Sequence, residues 1–153
     1  MSSHGVPISE IKACAKAQGV EFQYGDILII RYGWTEAYHK MNEAERAKFL
    51  DVSQHAFVGL QASEESLDFI HDNYFAAVAG DAPSFEKWPF NRKEVVLHDY
   101  LLPRWGCPIG ELWDLEALSE TCKRLNRYTF LLTSSPANVS GGVGTHPNAL
   151  ALF

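Results

Sequence analysis

Two side chains of metal-binding type flank a proline- and glycine-rich turn in the stretch LHDYLLPRWGCPIGEL, residues 97–112. His98 precedes this turn and Glu111 follows it. If His98 lies on a helix and Glu111 on the next strand, the turn brings an imidazole and a carboxylate together. That pair suits zinc or manganese. Spacing alone favours the plainer alternative, in which His98 is exposed on an amphipathic helix and Glu111 is a solvated carboxylate.

A second polar group occurs in AGDAPSFE, residues 79–86. Asp81 directly follows a short apolar run that is typical of a buried strand, and sites in α/β proteins collect at the carboxyl ends of strands. Ser84 and Glu86 lie close enough along the chain to line the same pocket. The pattern fits equally well a turn in which Asp81 accepts hydrogen bonds from backbone N–H groups.

Other motifs carry less chemistry. The glycine-rich stretch SGGVGTHPNA, 140–149, matches neither a dinucleotide-binding loop nor a phosphate-binding P-loop, so a mobile loop is the favoured interpretation. There is no nucleophile elbow of the G-x-S-x-G kind. Cys14 and Cys122 are predicted to lie on apolar helix faces as inert core residues. Cys107 lies in a turn, with no base nearby in sequence to activate it.

Composition limits the class of protein. The chain has 153 residues, of which 46% are hydrophobic and 21% charged, so residues 1–153 are predicted to form a single domain. The net charge is −6 and no lysine- or arginine-rich tract occurs, which argues against nucleic acid as a partner. The apolar runs are too short for a membrane span. No signal-peptide pattern opens the chain, and a reducing, cytoplasmic compartment is expected for its three cysteines.

The elements that must position these residues alternate between helix and strand. Strands are predicted at 25–34, 74–81 and 128–134, and a short strand or extended segment at 106–115. Helices are predicted to begin near Ser9, Asn42, Ser63 and Asp114, with a further helix over 92–102 and a loop over 82–91. This alternation predicts an α/β fold. Because the first strand is expected only after residue 25, the chain is expected to begin partway into a larger domain.

Four stretches together resemble the putative cyclase family, which includes bacterial kynurenine formamidases and isatin hydrolase, and are most similar to its fungal cyclase-like members. They cover residues 15–38, 75–89, 97–118 and 134–153, and include GDILIIRYGW, GDAPSFEKWP and PRWGCPIGELWDL. The resemblance implies a swivelling β/β/α fold that is incomplete at its N-terminus. It also implies a hydrolase that uses zinc or manganese to activate water against an amide or lactam carbonyl.

The resemblance also implies roles for particular residues. His98 and Glu111 match the family's C-terminal pair of metal ligands. The substrate pocket is then expected to include Trp34, Asp81, Ser84 and Glu86, although Trp34 fits the core better. The implied activity is of the arylformamidase type, on N-formylkynurenine or a related small aromatic amide, as in tryptophan catabolism.

One departure from the family pattern is large. The upstream motif H-x-G-T-H-x-D, which supplies further ligands, does not occur; Gly144-Thr145-His146 resembles its centre, but Gly142 and Asn148 stand where the motif needs His and Asp. Since catalytic zinc usually has three protein ligands, the missing half of the site is expected upstream of Met1. The chain alone is expected to hold metal poorly, or not at all, and to have little hydrolase activity.

Two other functions fit the same sequence. One is a non-catalytic binding or assembly protein that keeps the fold. The other is a fungal secondary-metabolite cyclase or dehydratase that acts without metal. In each enzymatic case the partner is a small-molecule substrate, and exposed apolar surface around the first strand and the tryptophan-rich loop would favour homo-oligomers.

Overall fold

Short strands and helices alternate along the chain. The computed structural model describes residues 3–91 and 93–153. The strands are β1 (Gly5–Val6), β2 (Ile27–Ile30), β3 (Gly59–Leu60), β4 (Ala77–Gly80), β5 (Ile109–Gly110), β6 (Leu131–Thr133) and β7 (Leu150–Leu152). The helices are α1 (Ile8–Gln18), α2 (Trp34–His39), α3 (Glu43–Ala47), α4 (Glu64–Asp72), α5 (Leu97–Leu101) and α6 (Glu116–Leu125), with 3₁₀ turns at Lys48–Leu50 and Val52–Gln54. The predicted α/β class is confirmed.

A parallel three-stranded sheet in the order β2-β4-β5 carries the centre of the molecule. Ile27 pairs with Ala77 and Ile30 with Gly80, so the two longest strands run side by side over their full length. A separate parallel pair joins β1 to β3, with Val6 opposite Leu60. The expectation that the first strand follows residue 25 is therefore wrong, because a two-residue strand leaves no apolar periodicity to detect.

Helix α1 packs on the core through a narrow stripe made by Ile8, Ile11 and Ala15. It ends at Gly19, whose φ of 67° is a left-handed conformation that glycine adopts without strain. Cys14 lies off the stripe and is exposed, so its prediction as a core residue is wrong, whereas Cys122 on α6 is buried as predicted. Within the described residues, no helix has the length and apolar character needed to cross a membrane.

The main core fills the space between α1, α4, α5 and the strands. Its fully buried side chains include Ile8, Leu60, Ile70, Val78, Phe85, Leu97 and Leu101. A second, smaller cluster joins Trp34, Phe57 and Ala82, with Tyr38 and Phe49 packed against it. Burying large apolar side chains is the main favourable contribution to folding, so these two clusters hold the loops between them in place.

The segment 82–91 links the two clusters. It is irregular, as predicted, but Ala82, Phe85 and Glu86 within it are buried. Backbone bridges join Leu60 to Glu86 and Phe57 to Trp88, so the segment lies along β3. Helix α5 after it is shorter than the predicted helix over 92–102, and residue 92 lies outside the described residues.

Beyond α6 the chain forms what we call the C-terminal arm, residues 127–153. Strand β6 confirms the strand predicted near 128–134, and it pairs antiparallel with β7, with Leu131 opposite Leu152. None of the arm's residues is buried. Leu131 and Leu150 each keep 65% of their surface exposed, so the arm presents apolar side chains to its surroundings.

Candidate active site

A cavity of about 480 Å³ opens beside segment 82–91 and α5. Rings form much of its wall, and polar groups lie among them. The lining residues are His55, Phe57, Pro83, Ser84, Trp88, Phe90, Val96, His98, Asp99 and Glu111. A ring-lined cavity with a few convergent polar groups is the usual form of a small-molecule site.

His98 lies between two carboxylates at this cavity. Its Nδ1 is 2.7 Å from Glu86 Oε1 and its Nε2 is 3.2 Å from Glu111 Oε1. Hydrogen bonding to Glu111 and then to Glu86 stabilises the imidazolium and raises the pKa of His98 to about 9, although partial burial acts in the opposite direction. The imidazole thus occupies a position that favours a cation.

Glu86 reaches His98 from the buried side. Its side chain has no solvent exposure, and its Oε2 accepts a hydrogen bond from the Leu97 backbone N–H at 2.7 Å. Its Oε1 also accepts from the His98 backbone N–H at 3.0 Å. These amides open α5, where backbone donors have no partner within the helix.

Glu111 approaches from the other side, directly after β5. Its Oε1 accepts a hydrogen bond from the Phe85 backbone N–H at 2.7 Å. The strand before it is tightly packed, since a Cβ built on Gly110 would lie 2.6 Å from Nε1 of Trp113. A larger residue at position 110 would therefore displace the Trp113 ring or the strand that precedes Glu111.

Asp81 has a different environment. It is fully buried, and its carboxylate accepts hydrogen bonds from the backbone N–H groups of Tyr32 at 2.6 Å and Thr35 at 3.2 Å. The Thr35 hydroxyl donates to the Asp81 carbonyl at 3.1 Å. Asp81 therefore ties the end of β4 to the loop that opens α2, and it is not among the residues that line the cavity.

Trp34 begins α2 and lies in the second aromatic cluster. Its ring stacks on Tyr38 with centroids 5.1 Å apart and meets Phe57 edge-on at 6.1 Å. Its Nε1 has no hydrogen-bond partner among the described residues. Of the six residues predicted for the site, Ser84, His98 and Glu111 share the cavity, Glu86 lies beneath His98, and Asp81 and Trp34 support neighbouring structure.

His55 was not predicted for the site, yet it lines the same cavity. Its Nε2 is 2.8 Å from the Phe49 carbonyl oxygen, which can only accept, so Nε2 carries the proton and Nδ1 is left as an acceptor in the neutral ring. Its ring also lies 5.1 Å from that of Phe57. Because His55 is far from residues 84–111 along the chain, no local spacing could have shown this placement.

The donor atoms near His98 can be compared with what a metal needs. Two atoms bound about 2.0–2.1 Å from a tetrahedral ion lie about 3.3 Å apart, and His98 Nε2 and Glu111 Oε1 are 3.2 Å apart. A carboxylate on the second nitrogen is the usual environment of a metal-binding histidine. These two residues fit a metal, but in the described part of the chain no group of three or more suitable residues is assembled.

Comparison with known proteins gives the family. Residues 2–87 match the model of the Cyclase family, described as "Putative cyclase". A solved structure described as a novel cyclase matches with a TM-score of 0.86 and 28% sequence identity, over 99% of this chain but only 48% of its own. The chain thus spans about half the length of that structure, and no curated protein matches it in sequence. The fold expected from the resemblance is confirmed, and the chain belongs to the cyclase family.

Proposed function

We propose that this chain carries two metal ligands and the substrate cavity of a hydrolase that cleaves small aromatic amides or lactams. The observation that supports this most directly is the position of His98, whose Nε2 faces Glu111 at 3.2 Å on the wall of a ring-lined cavity. N-formylkynurenine or a related aryl formamide is the proposed substrate type. The wider activity rests on the family resemblance, and the solved structure that shares this fold is about twice as long as this chain.

In this proposal His98 and Glu111 hold zinc or manganese. When bound, such an ion lowers the pKa of a water molecule and polarises the amide carbonyl. His98 supplies Nε2 as a ligand, since its Nδ1 is held by Glu86. Glu111 supplies a carboxylate oxygen, and the Phe85 N–H fixes that oxygen in place.

The cavity walls would bind the aromatic part of the substrate. Trp88 and Phe90 pack edge to face with centroids 4.8 Å apart, and Phe57 lies on the same cavity. Flat rings bind well to such walls because the contact area is large and rigid. Ser84 offers a hydroxyl that can donate to or accept from the amide group. A volume of about 480 Å³ falls within the roughly 300–1,000 Å³ typical of ligand pockets.

The rest of the metal site lies, in this proposal, outside the 153 residues. Catalytic zinc usually has three protein ligands and one open position, and two are present here. We therefore expect the purified chain alone to bind metal weakly and to turn over little substrate. Its free cysteines, Cys14, Cys107 and Cys122, agree with a reducing cytoplasmic location.

Metal binding by the purified chain tests the proposal. Zn²⁺ and Mn²⁺ would be measured by equilibrium dialysis with elemental analysis for the parent, His98→Ala and Glu111→Ala. Glu94→Ala is the matched control, because Glu94 is an exposed carboxylate between segment 82–91 and α5. Both site variants should lose most of the bound metal while the control keeps it. If both retain as much metal as the parent, they are not ligands.

Hydrolysis by the same preparation tests the second part. An aryl formamide would be incubated with the chain, with and without a chelator. A rate close to background is expected. A clear rate that the chelator removes would show that the chain completes its own site, and would contradict the assignment of further ligands outside it.

A further inference from the structure

The carboxylate of Glu86 is the most fully enclosed charged group near the cavity. It has no exposed surface and does not itself line the cavity. Three donors meet it: the Leu97 N–H at 2.7 Å, the His98 N–H at 3.0 Å and His98 Nδ1 at 2.7 Å. One oxygen, Oε1, thus holds both the backbone and the ring of the same residue.

A simple need for a helix cap does not account for this arrangement. Burying a carboxylate is costly unless it is well hydrogen-bonded, whereas Ser, Thr, Asp or Asn at the N-cap position satisfies the same donors from the surface. In α5 the N-cap position is Val96, which makes no side-chain cap bond. The distant Glu86 does this instead, and it adds a bond to the imidazole that a local cap would not make.

The backbone of Glu86 is itself held rigidly. Its bridge to Leu60 aligns it with β3. A Cβ built on Gly59 would lie 2.3 Å from the Glu86 carbonyl carbon, so only glycine fits at that position. The carboxylate therefore approaches His98 from a fixed direction.

Resting on the function proposed above, we propose that Glu86 is a positioning residue for the metal site. By accepting from Nδ1–H, Glu86 fixes the imidazole tautomer and its rotation, so that Nε2 is the nitrogen presented beside Glu111 Oε1. Carboxylates that hold metal-binding histidines in this way typically contribute a factor of about 10–100 to metal affinity.

Zn²⁺ affinity of Glu86→Gln tests this role. The amide has the same shape but lacks the charge, so its hold on Nδ1–H is weaker. We expect the dissociation constant for Zn²⁺, measured by dialysis, to rise about 10–100-fold. Glu94→Gln makes the same chemical change at an exposed site and should leave the affinity unchanged. An affinity of Glu86→Gln within about twofold of the parent would overturn the inference.

A second comparison separates positioning from general loosening of the fold. Ser66→Ala removes a buried hydroxyl of α4 that donates to the Gln61 carbonyl at 2.5 Å, and Ser66 does not line the cavity. If Ser66→Ala weakens Zn²⁺ binding as much as Glu86→Gln does, Glu86 is merely structural and the inference fails. Should Glu86→Gln not fold, Glu86→Asp replaces it, since a shorter carboxylate cannot hold ring and backbone together.

The same Zn²⁺ titration distinguishes the positioning role of Glu86 from the metal-dependent function on which it rests. If His98→Ala loses Zn²⁺ and Glu86→Gln binds like the parent, only the positioning role is wrong. If the parent binds no Zn²⁺, or His98→Ala binds as the parent does, the proposed function fails and the positioning role fails with it. Loss in His98→Ala together with a graded loss in Glu86→Gln supports both.

Discussion

The body of the molecule, residues 3–91 and 93–126, and its C-terminal arm, residues 127–153, use apolar residues in opposite ways. In the body, Phe85 and Leu97 are fully buried, as is the carboxylate of Glu86. In the arm, Leu131 and Leu150 are each 65% exposed. A two-stranded hairpin alone is marginally stable in water. The polar contacts of the candidate site are thus enclosed by the body, whereas the arm presents apolar surface that another surface can cover.

A matched pair of phenylalanine truncations should show the largest difference between body and arm. Phe85→Ala removes a fully buried ring from the core and should cost about 3–5 kcal/mol of unfolding free energy. Phe130→Ala removes an arm ring that packs against Phe153, with ring centroids 5.1 Å apart, and should cost less than about 1 kcal/mol. Urea denaturation followed by tryptophan fluorescence measures both. Equal costs would contradict the contrast.

Stability against pH gives the next largest effect. The pKa of His98 is raised to about 9 in the folded chain, against about 6.5 when unfolded. Its contribution is therefore complete below about pH 6.5 and is lost as the pH rises through about 9. In chelator-treated protein we expect a loss of about 1–2 kcal/mol across this range, by urea denaturation. His98→Gln should flatten the profile there; an unchanged slope would show that His98 is not the cause.

Removal of the arm should change association more than it changes folding. A chain ending at Asn126 should unfold with a free energy within about 1 kcal/mol of the parent, because no arm residue is buried. Exposed apolar surface favours self-association, so the parent should sediment partly as oligomers and the shortened chain as a monomer. A parent that is a monodisperse monomer and binds no hydrophobic dye would contradict this view of the arm.

Lysine substitutions at exposed leucines of the arm should weaken association less than removal of the arm does. Leu131→Lys and Leu150→Lys alter exposed positions of the arm, and charged side chains on a strand edge oppose pairing with another chain. Each should reduce association severalfold in sedimentation without altering the urea midpoint. Leu125→Lys, at an exposed leucine of α6 in the body, is the matched control and should leave association unchanged.

Cysteine alkylation should show the smallest of these differences, and it compares exposed with buried thiols within the body. Cys14 is exposed and should react first with iodoacetamide. Burial raises the pKa of the Cys107 and Cys122 thiols, which lowers their reactive thiolate fraction. Mass spectrometry over time should show Cys14 modified severalfold sooner. Equal rates at Cys14 and Cys107 would mean that the body opens readily.

Strong local patterns made part of the fold predictable. The apolar run at β2 and the run before Asp81 both form strands. Helices begin after Asn42 and Ser63 as predicted, since Asn42 forms a capping box with Glu45 and Ser63 caps α4. These features depend on neighbours within a few residues, which a sequence displays directly. The two-residue strand β1 and the exposed side of α1 at Cys14 depend on what packs nearby, and there the predictions were wrong.

The candidate site likewise combines contacts that local sequence suggests with contacts that depend on long-range packing. His98 and Glu111 lie together, with Nε2 and Oε1 3.2 Å apart, although the spacing alone favoured an exposed His98 and a solvated Glu111. The contact of Glu86 with His98 was not foreseen, because it depends on segment 82–91 lying along β3. His55 joins the cavity through the same long-range packing. Contacts of this kind follow from the assembled fold, and no periodicity in the sequence encodes them.

The three hydrogen bonds to Glu86 also have a consequence for the dynamics of the chain. The amide hydrogens of Leu97 and His98 point at a carboxylate without solvent exposure. They can exchange with solvent deuterium only when that enclosure opens, and the same opening releases the His98 ring. The hydrogen-exchange rates of these two amides therefore report how often the candidate site opens locally, as distinct from global unfolding.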